Sequence, residues 1–206
     1  MSPYATFMLL NVADTCALWN ILGSAFLYRA SRNARVSISS TQFVHYECFH
    51  KRGGNSPEWQ ELRSRLRERM KDGEIRFWDI DLEDLQELAA LEERKAISKG
   101  ELSSIVFAKR TAQSFLSDDG QAKKLARTVL AENAIQDTPH LCAWLCIHDA
   151  IHESDEQTIR AELAALNRAL EPHLHNAFLK ALEYKLMRQM ESRASGHAGH
   201  QDDVGA

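Results

Sequence analysis

The chain has little of several things, and each shortage narrows what it does. Positive charge is not in excess: 25 Lys and Arg stand against 29 Asp and Glu, for a formal net charge of -4 and a pI of about 6.1. That excludes a nucleic-acid binder working through bulk electrostatics and leaves only local patches or a metal for that purpose. Cysteine is sparse, with four residues and no paired spacing. A disulfide scaffold is therefore not expected, and a reduced, cytoplasmic protein is. Long apolar runs are missing. The first thirty residues are rather apolar, but no basic stretch precedes them and Asp14 interrupts the run. Neither a signal peptide nor a membrane span is expected, and hence no membrane partner. There is no internal repeat and no base-reading or stacking module that would name a target.

What is present is the composition of one globular α/β domain: 206 residues, 44% hydrophobic and 26% charged. Thr6–Val12 is almost continuously apolar, the pattern of a strand buried on both faces of a parallel sheet. Asp14 follows it. Cys16–Arg29 then carries Leu18, Ile21, Leu22, Ala25 and Phe26 at helical spacing. Val36–Ser39 predicts a second strand, and Ser40 or Thr41 caps a helix holding Phe43, Val44, Glu47 and Cys48. Glu47 shares the apolar face of that helix, where a carboxylate is costly unless paired or bound to metal. Pro57 opens a helix to about Lys71, with Trp59, Leu62, Leu66 and Met70 inward. Its other faces carry Arg63, Arg65, Arg67 and Arg69, the densest basic patch in the chain. Such a patch serves as a solvated helix face or as a phosphate contact.

Ile75–Ile80 predicts a third strand, followed by a helix to about Lys95. Ser98-Lys99-Gly100 breaks that helix and Glu101 opens the next. Ser114–Leu116 is a fourth strand. It ends in Ser117-Asp118-Asp119 and leads into a helix over Gly120–Ala131 that is basic in its first turns, at Lys123, Lys124 and Arg127. Ala134–Gln136 is a last short strand, and Thr138 caps a helix with Pro139 in the favoured first position. That helix holds Cys142, Cys146, His148 and His152. The two pairs point in different directions on a straight helix, so a zinc site is not expected. Ser154–Arg193 is helical, with Pro172 as a break or kink. The expected organisation is a domain over 1–153, a helical extension over 154–193 and a disordered tail over 194–206.

Acids thus collect at strand ends. Asp14 follows the first strand, the turn after the second leads to Glu47, Glu101 comes from the helix before the fourth, and Asp118 and Asp119 follow the fourth. In a parallel sheet these ends lie on one side. Each acid alone also serves as a helix cap or a first-turn carboxylate. Together they would repel one another unless cations neutralised them. Oxygen-only ligands select Mg²⁺ or Mn²⁺ rather than Zn²⁺, and such a site cleaves phosphodiesters. Asp14 with Glu101 or Asp118 would anchor the metals, and Thr15 and Ser117 would hold the water around them. Of the two adjacent acids, Asp118 is the expected ligand and Asp119 the expected helix cap.

The segments NVADTCALWNIL, VSISSTQFVHYE, KGELSSIVFAKR and SFLSDDGQAKKLA, in that order, resemble the PIN-domain ribonucleases over roughly residues 7–150. The resemblance implies a three-layer fold, with a central, mostly parallel sheet of short strands flanked by helices and followed here by a C-terminal helical extension. It implies a metal-dependent endoribonuclease in which Asp14, Glu47, Glu101 and Asp118 are catalytic. Asp14, Glu101, Asp118 and Asp119 would hold metal, and Arg63, Arg67 and Lys123 would contact nucleic acid. Many relatives of this kind are toxins, which adds a small antitoxin protein and a homodimer to the expected partners. Two departures stand out: Glu at position 101, where Asp is more usual, and an extension longer than in compact toxins. The alternatives are a binding or scaffold protein that kept the fold without the chemistry, and a structure-specific DNA nuclease.

Overall fold

The computed structural model describes residues 3–51, 54, 56–92, 97–168 and 170–198. Five short strands form one all-parallel sheet: β1 (Leu10–Ala13), β2 (Ser37–Thr41), β3 (Ile75–Trp78), β4 (Ser114–Leu116) and β5 (Ile135–Gln136), in the order β3-β2-β1-β4-β5. The chain builds outward from β1 on one side, then crosses over to place β4 on the other. The order therefore reverses between β1 and β4, the place where open parallel sheets bind their ligands at the carboxyl ends of the strands.

Alternation along the central strands feeds two cores. Val12 and Phe115, in register across β1 and β4, face one layer; the next pair, Ala13 and Leu116, faces the other. The first layer is α6 (Lys99–Thr111) and α7 (Gly120–Ala126), contributing Leu102, Ile105, Val106, Ala122 and Leu125. The second layer is larger and draws on α1 (Thr15–Gly23), α2 (Ala25–Asn33), α4 (Pro57–Lys71) and α8 (Thr138–Ile147). Next to α6 lie α5 (Leu82–Glu92) and α3 (Gln42–Tyr46), the latter continuing into a wider π-helical turn, Glu47–Lys51. This is the α/β domain expected from the strand–helix alternation, in the three-layer arrangement the resemblance implied.

The C-terminal extension is two helices, α9 (Asp155–Ala165) and α10 (Glu171–Ala198). Pro172 sits in the first turn of α10, where its missing N–H costs nothing. Ile159, Leu163, Leu174, Ala177, Phe178 and Ala181 join the same core as α1, α2 and α8, so the extension completes a layer. The tail expected over 194–206 overlaps α10, which runs to Ala198; residues 199–206 lie outside the described residues.

Several boundaries differ from the sequence expectation, each for a local reason. The first strand is Leu10–Ala13 rather than Thr6–Val12. The helix expected over Cys16–Arg29 is two helices broken at Ser24, whose hydroxyl accepts from the Leu27 N–H and starts α2. The helix expected over Gly120–Ala131 ends at Ala126. Asp137, not Thr138, caps α8, with its carboxylate accepting from the His140 N–H at 2.8 Å. Cys142 and Cys146 are buried free thiols and His148 lies just past the helix end. Among the described residues no helix is long and apolar enough to cross a membrane.

Candidate metal centre

β1 ends one residue before Asp14. The Asp14 N–H donates to the Leu116 carbonyl of β4 at 3.1 Å, which fixes the residue in line with the sheet. Its backbone is extended and its side chain caps α1, accepting from the Ala17 N–H at 2.8 Å. The other carboxylate oxygen accepts from the Ser117 hydroxyl. Asp14 is fully buried. Burial pushes its pKa up to about 7 despite these two hydrogen bonds, and the nearby Asp118 and Glu101 carboxylates push the same way.

Asp118 follows β4 on the far side of the switch point. One oxygen accepts from the Thr138 N–H at 2.8 Å. The other accepts from the Thr138 hydroxyl at 2.6 Å and from the Asn20 amide at 2.7 Å. Burial raises its pKa against those three bonds, with a smaller push from Asp137. Thr138 was expected to cap a helix; its hydroxyl serves Asp118 instead. Asp119 takes the capping role and accepts from the Gln121 and Ala122 N–H groups of α7.

Glu101 opens α6 in a capping box: its N–H donates to the Ser98 hydroxyl, and its carboxylate accepts from the Ser98 N–H at 2.9 Å. Glu47 starts the π-helical turn and is buried. It accepts from the Thr15 hydroxyl at 2.7 Å and the Gly100 N–H at 3.2 Å, and Lys51 reaches back to it at 3.6 Å. That places it at the positive end of α6. Gly100 makes the approach possible, since a Cβ there would stand 2.5 Å from the Glu47 Oε2. Thr15 links Glu47 to the residue beside Asp14, and Ser117 links the β4 end to Asp14 itself. Ser40 and Ser104 hydroxyls donate to the Ala13 carbonyl at 2.6 and 3.3 Å, tying β2 and α6 to the same strand end.

The three residues expected to contact nucleic acid have partners inside the fold. Arg63 donates to the Cys48 carbonyl at 3.1 Å, Arg67 lies over the Phe49 ring at 5.1 Å, and Lys123 pairs with Asp137 at 2.6 Å. Their neighbour Arg65 caps the C-terminal carbonyls of α1, at Leu22 and Gly23. The basic face of α4 is thus largely spent on holding helices together.

Among the described residues, Asp14, Asp118 and Glu101 make no ion pair with a lysine or arginine, and all their hydrogen-bond partners are neutral donors. Also among the described residues, no three His, Cys, Asp or Glu side chains form a ready-made metal cage. The donor chemistry nonetheless fits Mg²⁺ or Mn²⁺. All donors are oxygen and no cation pairs with them directly, Arg168 reaching Asp118 only through the Asn20 amide, and Mg²⁺ is commonly held by one or two carboxylates with waters and substrate phosphates rather than by an all-protein cage. Comparison with protein-family models, curated proteins and solved structures finds no match to this chain.

Proposed function

We propose that the chain is a divalent-metal-dependent ribonuclease that hydrolyses RNA phosphodiesters at the β1–β4 switch point. One observation carries the reading: the fully buried Asp14 and the partly buried Asp118 follow adjacent parallel strands on either side of the reversal, with Glu101 close enough to raise the pKa of Asp14, and among the described residues no lysine or arginine pairs with any of the three directly. Holding buried carboxylates together with neutral partners alone costs stability. A helix cap needs no such burial, since Asp119 caps α7 from a partly exposed position.

In this reading Asp14, Asp118 and Glu101 offer oxygens to Mg²⁺ or Mn²⁺. When bound, the ion supplies an activated water and stabilises the leaving oxygen. The Ser117 hydroxyl holds Asp14 in orientation, and Asn20 with Thr138 holds Asp118. Thr15 and Gly100 fix Glu47 beside the strand end. At neutral pH without metal Asp14 retains a proton part of the time, so occupation of the site by a cation is coupled to proton release from Asp14.

RNA cleavage with Mn²⁺, with EDTA and by Asp14→Asn tests the reading. Cleavage by the wild type with metal alone is expected. Equal cleavage in all three cases, or none with any divalent metal, overturns it. The saturation of every acid by protein donors favours a second reading, a binding protein that keeps the fold without the chemistry. That reading predicts no cleavage and no stabilisation by millimolar Mn²⁺.

A further inference from the structure

A cavity of about 320 Å³ opens on the same edge of the molecule, between the π-helical turn and the start of α6. Gln42, Phe43, Tyr46, Glu47, Lys51 and Lys99 line it. We infer that it seats one unpaired nucleotide of an RNA strand, the base against Tyr46 and Phe43 and the phosphate against Lys51 and Lys99. The inference rests on the ribonuclease reading for its choice of ligand and names the subsite next to the cleavage centre.

Three features point there. The first is the aromatic wall. Tyr46 is 58% exposed at the end of α3, beside the partly buried Phe43. The ring, more than half exposed at the cavity wall and 5.2 Å from the His50 ring, is suited to stacking on a flat partner, and base stacking on aromatic side chains is the sequence-tolerant way to bind single strands. The second is charge. The Lys51 side chain is 54% exposed and touches Glu47 only at 3.6 Å, which leaves its outer face open to an anion. Lys99 is exposed and, among the described residues, its side chain makes no hydrogen bond or ion pair. Two lysines on the rim of an otherwise aromatic wall match a base carrying a phosphate. The third is position. Glu47 lines the cavity and also accepts from the hydroxyl of Thr15, the residue next to Asp14, at 2.7 Å. A strand held in the cavity therefore runs toward Asp14.

The π-helical turn makes this arrangement. Widening the helix at Glu47–Lys51 keeps Glu47 inward and brings Lys51 back over it, while Tyr46, one residue earlier, stays outside. Single-turn widenings of this kind recur at functional sites. Duplex RNA offers no splayed base to such a pocket, so selectivity for unpaired strands follows from its shape.

The test measures binding of a fluorescein-labelled oligouridine and of a blunt RNA duplex to the full chain in EDTA, and cleavage separately with Mn²⁺. The single strand should bind more tightly than the duplex. Tyr46→Ala should weaken single-strand binding by about 5- to 150-fold, the span of one base–aromatic stack, and Tyr46→Phe should restore it. Lys51→Ala with Lys99→Ala should flatten the dependence of log K on log salt by about 0.7 per lost phosphate contact. Duplex binding as tight as single-strand binding, Tyr46→Ala binding like wild type, or no binding by the wild type overturns the inference. Cleavage that persists while Tyr46→Ala binds normally overturns the subsite and leaves the ribonuclease reading standing. Tyr46-dependent binding without any cleavage does the reverse.

Discussion

The same strands carry a polar cluster at each end, and the two clusters are built on opposite terms. Toward the amino ends of β1 and β4, Asn11 and Ser114 form a closed neutral network with the side chain of Gln136, the last residue of β5. The Ser114 hydroxyl and the Gln136 amide both donate to the Asn11 Oδ1 at 2.7 Å, while Gln136 accepts from the Met8 N–H at 2.7 Å. All three side chains are buried, and none carries charge. At the carboxyl ends, one or two residues beyond the strands, the polar groups are the buried Asp14 and the partly buried Asp118. Fastening β1 to β4 in a low-dielectric interior requires only amides and hydroxyls, as the first cluster demonstrates. Carboxylates at the other end add a desolvation cost that the fold does not need. The difference separates the two roles: the amino-end network holds the sheet, and on the proposed reading the carboxyl-end acids receive a cation.

The largest expected effect sharpens that contrast through pH. The folded chain keeps the Asp14 proton up to about pH 7, whereas the unfolded chain loses it near its ordinary value of 3.8. Between those values the folded state binds more protons, so metal-free stability falls as pH rises through that window, by on the order of 4 kcal/mol from this group alone. Denaturant unfolding in EDTA from pH 4 to 8 measures it, and Asp14→Asn should remove that part of the slope. The same substitution keeps the cap on α1, because Asn caps as well as Asp. It should nonetheless lower RNA cleavage by more than about 100-fold, beyond what loss of an outer hydrogen-bond partner would do.

Next in size is the neutral end. Gln136→Ala leaves the Met8 N–H without its acceptor and removes two bonds to Asn11 and Ser114. Unfolding stability should drop by about 2 kcal/mol at every pH and metal concentration, with the kcat of RNA cleavage unchanged. A pH-dependent loss would mean that the two ends are not separate. Smaller still, Gly100→Ala forces the Glu47 carboxylate aside and should cost about 1–2 kcal/mol by overpacking. Crystallography of the variant would locate the displaced carboxylate.

How far the sequence disclosed this arrangement depends on how local each signal is. β4 is legible residue for residue as Ser114–Leu116, and Asp14 and Asp118 are legible as acids directly after apolar runs, because strand, acid and helix are consecutive. The break at Ser24 was also legible in principle: Gly23-Ser24 followed by Leu27 is a helix stop and a new cap, hidden by an apolar rhythm that runs through both helices. What holds the acids was not legible. Asn20 reaches Asp118 across 98 positions and Ser117 reaches Asp14 across 103, and pairing at that separation is decided by sheet order, which periodicity does not encode. The partners of the α4 arginines were not legible for the same reason, since the carbonyls and ring that engage Arg63, Arg65 and Arg67 lie on other elements.

The central claim is that a divalent cation completes the carboxyl-end cluster. The most direct measurement is the thermal midpoint of the full chain at pH 7.5 as Mn²⁺ or Mg²⁺ is raised to millimolar levels, for wild type and Asp14→Asn side by side. Binding to the folded state alone stabilises by about 2.7 kcal/mol at a hundred times the dissociation constant. The account predicts a rising midpoint for the wild type and a flat one for Asp14→Asn; a flat line for both would contradict it.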